Sequence, residues 1–89
     1  MHYHVVVKGR VQGVCFRATV CERAQNYDLS GTVKNLANED VEIHAFGEEK
    51  IIDAFLESLK QDAGFGMVSS FSVKKDSLKN ESRGFKIVH

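Results

Sequence analysis

Residues 9–17 read Gly-Arg-Val-Gln-Gly-Val-Cys-Phe-Arg, and the chemistry these types suggest at this spacing is anion binding. Successive N–H groups of a glycine-containing loop converge on one point, and a helix starting just after it adds partial positive charge. Gly9 and Gly13 permit positive φ where a side chain would clash, so the chain can curl around a phosphate. Arg17 falls in the first turn of the expected helix, and its planar fork can hold two phosphate oxygens at once, which lysine cannot. Other phosphate chemistries do not fit. A Walker loop needs Gly-Lys and then Ser or Thr after a four-residue spacer, and a dinucleotide fingerprint needs Gly-x-Gly-x-x-Gly; neither occurs. A cysteine-nucleophile phosphatase loop places its cysteine six positions before its arginine, where this chain has Val11, and Cys15 is too close. What remains is a cradle with no built-in metal ligand or covalent nucleophile, in which Cys15 counts for its backbone N–H.

The elements around this loop follow from periodicity. His2 to Lys8 contains Val5-Val6-Val7 and stops at Gly9, which reads as a buried central strand. Phe16, Val20, Ala24 and Tyr27 lie on one face of a helix ending near Asp28. Thr32 to Leu36 predicts a second strand and Asn38-Glu39-Asp40 a polar turn. Val41, Ile43 and Ala45 alternate with Glu42 and His44 as a half-buried third strand ending at Gly47. Glu48 and Glu49 suit the positive start of a second helix with the apolar stripe Ile51, Ile52, Phe55, Leu56 and Leu59, which reads as core. Residues 63–66 close it. Val68 to Lys75 forms a fourth strand, with Phe71 and Val73 on one face, and Phe85 to Val88 a short terminal one. The order β-α-β-β-α-β, with one stripe per helix, predicts a ferredoxin-like α+β sandwich: a mainly antiparallel sheet with both helices on one face. That fold hosts many functions, so the site must decide.

Composition narrows the setting. The 89 residues suit a single domain over 1–89, with 43% hydrophobic and 27% charged residues, as in globular chains. No apolar run reaches membrane-spanning length and the first ten residues lack a signal-peptide layout, so a cytoplasmic protein is expected. Twelve basic and twelve acidic side chains cancel, which argues against nucleic acid or an anionic membrane as partner. The charges are segregated: residues 1–35 carry net +3, residues 36–62 net −6 and residues 63–89 net +3. A small anion is drawn to the first segment. Cys15 and Cys21 are too few and too close for a disulfide framework and read as thiols.

The stretch from Val7 to Arg17 resembles the loop signature of the acylphosphatase family at every constrained position. Gly31, Val33, Lys34, Asn35, Val41 and Gly47 fit the family's second motif at the expected spacing. Three positions depart: Thr32 stands where an aromatic is usual, Glu39 where the hairpin usually carries glycine, and Ala63-Gly64-Phe65 where glycine-proline is common. If Glu39 keeps the backbone a glycine would have, positive φ costs about 1–2 kcal/mol. The resemblance implies hydrolysis of the carboxyl–phosphate anhydride of acyl phosphates to a carboxylate and inorganic phosphate. It implies that Val11, Gln12, Gly13, Val14, Cys15, Phe16 and Arg17 hold the phosphate, Arg17 neutralises its charge and Asn35 orients the attacking water. No general base is apparent, so the substrate phosphate itself is expected to take the proton. A monomer acting on a small acyl phosphate, with no metal or cofactor, is the resulting expectation.

Two other classes share the element order. An RNA recognition motif would explain Gly64-Phe65-Gly66-Met67-Val68, but that signature belongs before the second helix and here follows it. A non-catalytic small-ligand domain would bind phosphate without turnover. Plain structural readings also exist: Arg17 as a surface arginine, Asn35 as a turn residue, Arg10 as a solvated flank and Cys21 as a packed thiol. His2 and His4 share one strand face and could chelate a metal. No third ligand lies near them in sequence, so they read as paired histidines at a frayed strand end.

Overall fold

The computed structural model describes residues 1–11, 16–61, 67–79 and 83–88. Strand β1 (His2–Arg10) leads to helix α1 (Phe16–Asn26), strands β2 (Ser30–Asn35) and β3 (Val41–Phe46), helix α2 (Glu49–Gln61), and strands β4 (Met67–Asp76) and β5 (Phe85–Val88). The sheet order is β4-β1-β3-β2-β5, antiparallel throughout except for the parallel β2–β5 pair. This is the expected α+β sandwich. The terminal strand takes the edge beside β2, with Val33 opposite Ile87.

Alternation decides the faces. Tyr3, Val5 and Val7 of β1, Val33 of β2 and Val41, Ile43 and Ala45 of β3 are buried in one cluster with Phe16, Val20 and Ala24 of α1 and Ile52, Phe55, Leu56 and Leu59 of α2. Each fully buried large side chain of this kind contributes about 1.5–3 kcal/mol relative to exposure. Ile51, expected in the α2 core stripe, is 36% exposed instead. Ile52, Phe55, Leu56 and Leu59 already fill the inward face, and Ile51 lies about 100° of helical rotation off it.

Helix ends are fixed locally. Leu29 N–H donates to the Ala24 carbonyl (3.0 Å) and Asp28 N–H to that of Gln25 (3.1 Å), with Asp28 at φ 60°, a Schellman ending that turns the chain into β2. The Glu48 carbonyl accepts from Ile51 and Ile52 at the start of α2, whose first turn carries Glu49. Tyr3 ties β1 to this turn by donating to Asp53 Oδ1 (2.7 Å), with Glu49 Oε2 at 3.2 Å. Burial, then the bond to Asp53, pushes its phenol up to about 12, so it remains a donor near neutral pH.

Candidate active site

The anion-binding stretch begins where β1 leaves the sheet. Pairing with β4 slips by one residue between Lys8 and Gly9: Lys8 faces Ser70 but Gly9 faces Val68. Gly9 takes φ 137°, a conformation that L side chains rarely adopt, and the added twist of a bulge re-aims the strand end. Val11 and Phe16, each 1% exposed, anchor the two feet of the connection in the core. Gln12, Gly13, Val14 and Cys15 lie outside the described residues, so the main-chain cradle expected there is not described.

Helix α1 opens with Phe16 buried and Arg17 half-buried, and its first turn carries no acidic residue. Its positive N-terminal end is therefore not offset by a carboxylate of its own, which suits an anion beside it. Arg23, two turns on, donates to the Ser58 carbonyl (2.9 Å) and couples the helices instead. Cys21 is half-buried, with its thiol 3.1 Å from the Phe85 carbonyl, so it is a packed side chain as expected.

Asn35 is the last residue of β2 and pairs with Val41, which pairs with Val7. Its parity with Gly31 and Val33 puts it on the helix-covered face, and α1 packs against β2. The hairpin fixes this register: Leu36 N–H donates to the Asp40 carbonyl (2.8 Å), Asp40 N–H to Asn38 Oδ1 (3.1 Å), and Glu39 adopts φ 73°. Glu39 thus takes a left-handed backbone, the conformation whose cost is expected from the sequence. Asn35 Oδ1 is buried and has no hydrogen-bond partner among the described residues. Leaving such an acceptor unsatisfied costs about 1–3 kcal/mol, which marks Asn35 Oδ1 as a position where a donor from outside the described residues would be favourable.

Gly31 is required by packing. A Cβ there would lie 1.8 Å from the backbone oxygen of His44, so β2 and β3 reach this approach only without a side chain.

The opposite face of the sheet holds a second polar constellation that the one-strand reading of His2 and His4 missed. His2 is not at a frayed end: it pairs with Phe46 on one side and Asp76 on the other, and is 6% exposed. Its ring bonds Asp76 Oδ1 (3.0 Å) and His44 Nδ1 (2.9 Å). His4 Nε2 lies 2.8 Å from Glu42 Oε2, and the hydrogen bond from His4 holds the Glu42 carboxyl below its usual range. Burial pushes His44 down despite Glu42 beside it. The neighbours of His4 come from β3, some forty residues along the chain, and only the strand register could have revealed them.

The whole chain can be set beside known proteins. The acylphosphatase family model matches residues 3–87. The Clostridium acetobutylicum acylphosphatase is 39% identical over 98% of this chain and 96% of its own length. The crystal structure of acylphosphatase from Bacillus subtilis superposes with a TM-score of 0.93 at 38% identity, covering 99% of this chain and 98% of that one. An acylphosphatase structure from Coxiella burnetii gives 0.88 at 36% identity, over 98% of this chain and 90% of that one. With its loop stretch, its second motif and its fold matched along nearly the full length, this chain belongs to the acylphosphatase family.

Proposed function

We propose that residues 1–89 act as one domain that hydrolyses acyl phosphates to a carboxylate and inorganic phosphate, with Arg17 and Asn35 as catalytic residues. The observation that carries this division of labour is the buried Asn35 Oδ1, without a hydrogen-bond partner among the described residues, on the face against which α1 packs. An acceptor held there can take one O–H of a water and aim the oxygen's lone pair at phosphorus. Main-chain N–H groups from Val11 to Arg17 and the Arg17 guanidinium hold the phosphoryl oxygens, where charge is greatest. The water oxygen bonds to phosphorus, the bond from phosphorus to the acyl oxygen breaks, and the carboxylate leaves with the electron pair. The proton released passes to a phosphate oxygen. Because a carboxylate is a good leaving group, positioning and charge stabilisation suffice.

The net charge of zero and the local +3 of residues 1–35 fit a small anionic substrate rather than nucleic acid. No helix among the described residues is long and apolar enough to cross a membrane. A cytoplasmic monomer completes this reading. A chelator-treated assay with a synthetic acyl phosphate, and a phosphate monoester as control, tests it. Cleavage of the first and not the second is expected. Equal cleavage of both would place the chain in another phosphatase class, and saturable phosphate binding without turnover would make it a non-catalytic domain.

A further inference from the structure

The sheet face away from the helices carries side chains that the hydrolytic site does not use. His4 on β1 and His44 on β3 are direct cross-strand partners, and Glu42 stands two residues along β3 on the same face. The two imidazoles stack with centroids 4.6 Å apart and planes within 12°. One ligand atom from each of His4, Glu42 and His44 lies within 4.8 Å of the other two. The Glu42 oxygens sit 2.8 Å from His4 Nε2 and 3.5 Å from His44 Nε2. Ligands about 2.0–2.2 Å from a tetrahedral ion stand roughly 3.4 Å from one another, so the 2.8 and 3.5 Å separations lie close to that value and the spread of up to 4.8 Å has to close by side-chain rotation when an ion binds.

Hydrogen bonds already orient the ring at the centre of this group. Leu78 N–H donates to Asp76 Oδ1 (2.9 Å), which lies 3.0 Å from His2 Nδ1, and His2 Nε2 is 2.9 Å from His44 Nδ1. This turns His44 Nε2 toward Glu42 Oε1 at 3.5 Å, a separation at which an imidazole nitrogen and a carboxylate oxygen can share one cation.

We propose that His4, Glu42 and His44 bind one divalent first-row transition ion, with zinc as the type case, on the face opposite Asn35. Two imidazoles and one carboxylate are a ligand set for such ions, and the side chains are open enough to solvent for a water to complete the coordination. The chain from His44 through His2 to Asp76 supplies the outer hydrogen bonds that orient a ligating imidazole and raise its basicity. Bound there, the ion clamps β1 to β3, two neighbouring interior strands of the sheet.

Titration of the untagged chain with Co2+, followed by visible absorption and thermal melting, tests this. One ion per chain is expected, with no thiolate-to-cobalt charge-transfer band and a melting temperature that climbs with Co2+ concentration. Glu42→Gln and His44→Gln should each weaken binding about tenfold or more. His2→Phe should weaken it about tenfold to a hundredfold at unchanged stoichiometry. Glu42→Gln preserves size and shape, and circular dichroism confirms that each variant is folded. Absence of saturable binding would overturn the proposal. So would undiminished affinity in folded Glu42→Gln, or a charge-transfer band placing the ion on a cysteine.

Discussion

The two faces of the sheet carry opposite kinds of polar arrangement. On the helix-covered face, β2 ends in Asn35, whose buried amide oxygen has no partner among the described residues. On the open face, Asp76, His2, His44, Glu42 and His4 touch one another in a continuous polar chain whose longest link is the 3.5 Å between His44 and Glu42. The contrast teaches how to read a polar group in a small fold. On the readings proposed above, the unsatisfied acceptor takes a transient donor from a water and the bonded cluster takes a resident ion.

Substitutions can break this contrast, and the largest effect should come from Arg17. Arg17→Ala is expected to remove phosphate and substrate binding together, lowering kcat/KM by about 10³-fold or more, while Co2+ binding on the open face is unchanged. Arg17→Lys should rescue little, because a point charge cannot replace the planar fork. Steady-state kinetics with phosphate as inhibitor checks both. Gly31→Ala should strike both faces, since its Cβ would meet the His44 backbone oxygen at 1.8 Å. A loss of about 3 kcal/mol is expected in urea unfolding, together with weaker Co2+ binding.

Smaller changes sharpen the comparison by altering the frame without touching either set of groups. Tyr3→Phe removes the bonds to Asp53 and Glu49 and should cost about 1 kcal/mol in thermal unfolding. Glu39→Gly should stabilise by about 0.5–1 kcal/mol, because relief of the left-handed backbone at φ 73° exceeds the added chain entropy of glycine. Its turnover should stay at the wild-type level, since the hairpin register already holds Asn35 opposite Val41.

The two faces also differ in how far sequence alone reveals them. Arg17 stands out from the types and spacing of a contiguous loop, whereas Asn35 stands out only through the resemblance to the family's second motif. The element order was equally legible, because Phe16, Val20 and Ala24 repeat by four and Val41, Ile43 and Ala45 by two. The histidine cluster was not legible. His4 finds its partners in Glu42 and His44 only through the antiparallel register of β1 with β3, and slipping that register by one residue would turn them to the other face. Ile51 was misplaced for a related reason: apolar identity does not fix which edge of an amphipathic stripe reaches the core.

The most direct measurement is the behaviour of Asn35→Ala, read as turnover of an acyl phosphate beside the inhibition constant for inorganic phosphate. If the Asn35 amide aims the attacking water and the loop with Arg17 holds the phosphate, kcat should fall by about 10²-fold or more with phosphate inhibition nearly intact. Weakened phosphate binding with turnover preserved would contradict the assignment.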